Sequence, residues 1–154
     1  MKITKYLILL LGLKQVAWVD RRNKRISNRS IGMLLSFRSI LLLLEYQMYP
    51  DRWSEELIQS VAGLFFISTL FLWLYFCTEK AIGAGDIKLL AVIASYVGSE
   101  QTLWIVFLAS IYAFAQAILK NGNLKTNIPF GPYIFYGTVT IFFYVIVERL
   151  KSVY

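Results

Sequence analysis

The sequence predicts an all-α fold, a polytopic membrane protein built as a bundle of about six transmembrane helices. Three observations lead there. Hydrophobic residues make up 58% of the 154 and charged residues only 16%, where a soluble domain runs near a quarter charged. The apolar residues gather into six stretches joined by short polar segments. At about 20 residues per crossing, such a chain has room for six helices and no sizeable domain outside the membrane. Residues 1–154 therefore read as a single transmembrane domain.

The first stretch covers residues 3–19. Lys2 and Lys5 ahead of it resemble a signal peptide, but Ala-x-Ala is missing, Lys14 interrupts the run and a strongly basic segment follows, so it reads as a weak first span. The second covers 30–49 and carries Arg38 and Glu45. The third covers 57–76, polar only at Gln59 and small hydroxyls. The fifth and sixth cover 102–119 and 130–147. The fourth is the informative one. Residues 87–97 are too few to cross a core about 30 Å thick, so a span of workable length starts near Ala81 and takes in Gly83-Ala84-Gly85-Asp86. That places the Asp86 carboxyl roughly 7 Å inside the helix start.

The residue counts exclude much familiar chemistry. There is no histidine and one cysteine, Cys77. No Ser-His-Asp or Cys-His system can be assembled, nor an HExxH zinc site. One thiol makes neither an intrachain disulfide nor a Cys-rich zinc site. No metal and no cofactor are expected. The net charge of +7 reads as a topology signal for the lipid bilayer and not as a nucleic-acid footprint. With the N-terminus outside, the inward segments hold nine basic residues: Arg21, Arg22, Lys24, Arg25, Arg29, Lys80, Lys88, Lys120 and Lys125. The outer ones hold five: Lys2, Lys5, Arg52, Arg149 and Lys151. The excess places the 20–29 loop in the cytoplasm. Trp18, Trp53, Trp73 and Trp104 read as interface anchors.

Asp20 follows one crossing and Asp86 opens the fourth span, after three. Both numbers are odd, so both carboxyls face the cytoplasm. Two aspartates on one membrane face can do general acid–base chemistry with water. Brought close, they titrate as a unit, one ionised and one protonated. The ionised member takes a proton from water and the protonated one polarises a scissile carbonyl. The same residues also fit a solvated helix end beside arginines (Asp20) and a helix N-cap (Asp86). Gly83 and Gly85 permit positive φ and close backbone approach, although small residues also serve plain helix packing in membranes.

Asp20-Arg21-Arg22-Asn23-Lys24-Arg25-Ile26-Ser27-Asn28 resembles the first aspartate segment of the type IV prepilin peptidases, an aspartate closing a span, then a basic stretch and Ile-Pro-Asn. Ile82-Gly83-Ala84-Gly85-Asp86-Ile87-Lys88-Leu89-Leu90 looks like that family's Gly-x-Gly-Asp segment with its trailing Lys and Leu. Ile128-Pro129-Phe130-Gly131-Pro132 is similar to a late Pro-Phe-x-Pro segment. The resemblance implies a metal-free membrane aspartyl peptidase with Asp20 and Asp86 as its catalytic pair. Its substrate would be a prepilin-like single-span precursor, cut after a glycine to release a short basic leader at the cytoplasmic face. Ser27 stands where that family has Pro. The paired cysteines of the inserted domain that larger members use for N-methylation are missing, so the chain looks like a peptidase-only form.

Other residues carry two readings each. Pro129-Phe130-Gly131-Pro132 forms either a loop leading into a helix or a wall of the active site beside Asp86. Lys88 either tunes a carboxyl or snorkels to lipid phosphates. Glu79 either meets a basic leader or is a solvated acid. Arg38, a charge near mid-span, is expected to pair inside the bundle, with Glu45 seven residues on as one partner on the same face. Lys14 either snorkels or pairs with an acid. The competing functions are another Gly-x-Gly-Asp intramembrane protease, a small ion-coupled transporter with charges along its path, and a non-catalytic assembly subunit.

Overall fold

The computed structural model describes residues 2–23, 25–78, 82–119 and 129–151, and these are all-helical. Six helices follow in order: α1 (Lys2–Asn23), α2 (Asn28–Met48), α3 (Pro50–Cys77), α4 (Ala84–Val97), α5 (Ser99–Leu119) and α6 (Gly131–Lys151). Four of them, α2, α3, α5 and α6, are long and apolar enough to cross a membrane. The first helix carries Lys5, Lys14, Asp20, Arg21 and Arg22 along its length. The fourth has only 14 residues, about 20 Å of helix against a core of about 30 Å.

The chain folds as two compact units, Ile26–Thr102 and the combination of Met1–Arg25 with Leu103–Tyr154. In the first of these, α3 packs on α4 and α2 lies against both. The buried residues of α2 are Ile31, Leu34, Arg38, Leu41 and Glu45, spaced by threes and fours so that they form one stripe. On α3 the stripe is Ser60, Gly63, Ile67 and Phe71. Between membrane helices, packing and hydrogen bonds replace the hydrophobic drive, and small residues let backbones meet. Gly63 does this here, since a Cβ on it would lie 2.7 Å from the carbonyl oxygen of Ala94. Almost every residue of α4 from Ile87 to Tyr96 is buried, as expected for a helix apolar all round.

The joints follow from local chemistry. Ser27, where the resemblance expects Pro, is the N-cap of α2, its hydroxyl accepting from the Arg29 amide at 3.3 Å. Pro50 opens α3 at a position where a missing N–H costs nothing. The turn before it is held by the Trp53 indole, which donates to the Leu42 carbonyl at 3.1 Å and stands edge-on to Tyr46. Gly98 ends α4 with φ +90° and donates to Ala94 O, a backbone conformation that a side chain would strain.

In the other unit α1 packs along α6, with the Tyr6 and Phe142 rings 5.5 Å apart. Gly137 of α6 approaches α5 closely, its Cβ position falling 2.7 Å from Ile105 O. Trp18, Trp73 and Trp104 are exposed, as anchoring residues would be, and Trp53 is half-buried. Lys14 is exposed.

Two expectations are corrected. The fourth helix starts at Ala84, and Ile82 and Gly83 precede it in irregular backbone, so Asp86 stands in the first turn, about 3 Å along the axis and not 7 Å. The residues in front of it lack the hydrophobic periodicity that would extend the helix, and Ala81 itself lies outside the described residues. The second correction concerns the glycines. Gly83 has φ −68° and Gly85 is helical. Among the described residues the glycine with positive φ is Gly98.

Candidate active site

Asp20 is the first residue past the apolar run of α1 and is 4% exposed. Its Oδ2 accepts a hydrogen bond from the backbone N–H of Gly131 at 2.8 Å. Gly131 is the first residue of α6, so the carboxyl sits against the end of a helix where N–H groups lack intrahelical partners. Pro132 follows in the first turn, where it is well tolerated, and Phe130 O starts the helix by accepting from Tyr133 N and Ile134 N. The approach is close because residue 131 has no side chain. A Cβ there would fall 2.8 Å from Asp20 Oδ2 and 3.1 Å from Asp20 Cβ. Burial pushes the Asp20 carboxyl above the usual aspartate range, and the Gly131 N–H offsets this only in part.

The 129–132 segment reads in the sequence as a helix entry or as a wall beside Asp86, with Gly131 not singled out within it. The structure shows the helix entry, and the contact it brings is with Asp20, through the Gly131 amide. Next along, the Tyr133 hydroxyl bonds the side chain of Gln116, and Tyr112 and Thr140 pair at 3.0 Å, so hydroxyls and an amide line the α5–α6 seam.

Asp86 stands in the first turn of α4, where an acidic side chain suits the positive end of the helix. Its N–H donates to Gly83 O at 3.0 Å. The carboxyl folds back over Gly83, where a Cβ would meet Asp86 Oδ2 at 2.7 Å. Gly85 faces Ile26, its Cβ position 3.2 Å from that of Ile26. The glycines therefore serve close approach, one to the carboxyl and one to the segment ahead of α2. Lys88 is exposed, and its ammonium donates to Asn28 Oδ1 at 3.3 Å, tying the start of α4 to the start of α2. Glu79 lies outside the described residues.

Comparisons with known proteins identify the family. The type IV leader peptidase family matches residues 7–118. The prepilin leader peptidase/N-methyltransferase of Bacillus subtilis is 26% identical over 133 residues, covering 84% of this chain and 51% of that protein. The protein of the same name from Burkholderia pseudomallei is 31% identical over 93 residues, 56% of this chain and 30% of that one. That of Aeromonas salmonicida is 29% identical over 85 residues, 52% and 29% of the two. The chain spans about half the length of the first and about a third of the others. No solved structure gives a significant match. The matched family region contains Asp20, Asp86 and the segments around them, on a multi-pass membrane scaffold: this chain belongs to the type IV leader peptidase family.

Proposed function

We propose that the protein is a membrane aspartyl endopeptidase that removes the short basic leader from prepilin-like single-span precursors, with Asp20 and Asp86 as its catalytic carboxyls. One observation carries the reading. The family match runs over both aspartates, and one of them, Asp20, is buried and held by a backbone amide. A solvated helix-end acid would be neither. Residues 1–154 act as one peptidase domain. Gly83 and Gly85 support the site by letting the Asp86 carboxyl and Ile26 approach the backbone ahead of and within the first turn of α4. Pro129 and Phe130 lead into the helix whose first amide holds Asp20, and Lys88 fastens α4 to α2.

The chemistry uses water and two carboxyls. We assign Asp20 the protonated role, because burial raises its carboxyl above the ordinary aspartate range. With Oδ2 taken by Gly131, the other oxygen of Asp20 presents that proton to the scissile carbonyl. The ionised partner takes a proton from the attacking water. The tetrahedral adduct then collapses, and the leaving amine departs with a proton from the pair. The test is co-expression with a candidate precursor. A faster-migrating product, absent without the protein, is the expected result, and an unprocessed precursor counts against the reading. Cleavage should also withstand strong chelators, since neither carboxyl needs a metal for this step. Activity lost on chelation and restored by a divalent ion would exclude it.

The mechanism places both carboxyls on the cytoplasmic side and the N-terminus outside. Cys77 tests this. It is the last residue of α3 and is exposed. A membrane-impermeant maleimide should leave it unmodified in intact cells and label it once membranes are opened. Glu79→Cys in a Cys77→Ser background covers the case of a thiol kept unreactive by lipid. Labelling of either from outside would invert α3 and move the carboxyls to the wrong face.

A further inference from the structure

The mechanism leaves one group of buried charges unused. Arg38 and Glu45 stand on the buried stripe of α2, with Arg38 Nη1 3.3 Å from Glu45 Oε2 and side chains 3% and 5% exposed. A charge near mid-span is costly to insert, and the surroundings show what it serves. Arg38 Nε donates to the carbonyl oxygen of Ser95 at 2.7 Å. The Ser60 hydroxyl of α3 donates to that same oxygen at 2.9 Å. Ser95 lies in the last turn of α4, whose final carbonyls have no partners within their own helix.

The need arises from length. A helix of 14 residues that starts at one membrane surface ends inside the hydrocarbon, where an unsatisfied carbonyl is expensive. The end of α4 meets this at two of its final carbonyls. Ala94 O accepts from Gly98 N at 2.8 Å, and Ser95 O from Arg38 and Ser60. The positive guanidinium also faces the negative end of the helix, and Glu45 balances its charge. Arg38 further stands over the Tyr96 ring at 5.8 Å, and the Tyr96 hydroxyl donates to Leu34 O at 2.6 Å. The last turn of α4 is thus bolted to α2 and α3. Asp86 stands in the first turn of the same helix.

We propose that Arg38 is a positioning residue for the peptidase reaction: by capping the C-terminal end of α4 inside the membrane, it fixes the depth at which α4 presents Asp86. The proposal rests on Asp86 being a catalytic carboxyl. Arg38 on its own element is met by Glu45, and from α3 and α4 by neutral groups, so its charge is committed to one carboxylate and one helix end.

The test uses the full chain in lipid vesicles with a prepilin-like precursor. Arg38→Met alone strands Glu45 and can fail to fold, so the informative variant is Arg38→Met with Glu45→Gln, which removes both charges. Its kcat should fall at least tenfold with KM within twofold. Arg38→Lys, which keeps a charged donor, should stay within about threefold of the parent kcat. A nitroxide at Ala84→Cys in a Cys77→Ser background reads the depth of the start of α4. That depth should shift in the charge-free variant and not in Arg38→Lys. A folded charge-free variant with parental kcat, or with an unmoved label, overturns the proposal. The label does not depend on catalysis. If Asp86→Asn retains cleavage while the label still moves, it is the assignment of Asp86 that has failed and not the cap.

Discussion

Asp20→Asn and Asp86→Asn should each reduce precursor cleavage by about 10²–10⁴-fold, the range that positioned acid–base groups supply, while the protein stays in the membrane. Asparagine is close in shape to aspartate and can neither take a proton from water nor hand one to a carbonyl. At position 20 its carbonyl oxygen can still accept from the Gly131 amide, so the helix start seen against Asp20 survives. The double variant should be no slower than the slower single one, because groups that act as a unit lose their effect together. The measurement is a time course of precursor and product by gel mobility. Near-normal processing by either single variant removes that residue from the mechanism. Loss of ion flux with cleavage intact would favour a transporter, and tolerance of both would favour an assembly subunit.

The Asp20 substitution carries a second, separable readout. The folded protein holds the Asp20 proton more tightly than the unfolded chain does, because burial penalises the charge. The stability this linkage contributes is complete below the ordinary aspartate value and is lost as pH rises through the raised folded value. Asparagine has no such ionisation. Asp20→Asn should therefore melt higher than the parent at neutral pH, with the advantage vanishing in acid below the ordinary aspartate value. An inactive variant that is also more stable identifies a carboxyl kept for chemistry at the expense of stability. An inactive variant that melts lower at neutral pH would show that the charge at position 20 supports the fold.

Some of this was legible in the sequence and some was not, for reasons that differ by residue. Six apolar stretches mark six helices because lipid-facing surface must be apolar. The Arg38–Glu45 pair was legible because seven residues are two helical turns and an intramembrane charge needs a partner. Ser95 O, which shares Arg38, was not: a backbone carbonyl has no sequence signature, and its lack of a partner within its own helix follows only from where α4 stops. The start of α4 was misread because glycines ahead of an apolar run are compatible with either helix or turn. The positive φ belongs to Gly98, which directly follows the last helical residue Val97, a position where glycine is common; that was the available signal. The Gly131 contact with Asp20 spans 111 residues. It joins a side chain to a backbone amide, and neither periodicity nor spacing can announce it.

Gly131→Ala should cut kcat by up to about 10²-fold with KM little changed, the scale of loss expected when a catalytic group is displaced by about 1 Å. The methyl group would fall 2.8 Å from Asp20 Oδ2 and 3.1 Å from Asp20 Cβ, too close for all three to stay. Rotating the carboxylate oxygen away relieves the first contact and not the second, so α6 and α1 must part or Asp20 must leave its position. Either movement weakens the amide hydrogen bond and re-aims the oxygen that should face the substrate. The natural control is Gly32, around which a Cβ meets nothing within 4 Å. Gly32→Ala should leave cleavage unchanged and stabilise α2 by about 0.5–1 kcal/mol. A double-mutant cycle then separates positioning from general damage. If Gly131 acts through Asp20, then Gly131→Ala in an Asp20→Asn background should cost nothing further, because the group it displaces is already inert. If the substitution merely loosens the packing of α1 on α6, the two losses should multiply. Full activity in Gly131→Ala would mean that the close approach of residue 131 to Asp20 is incidental to catalysis.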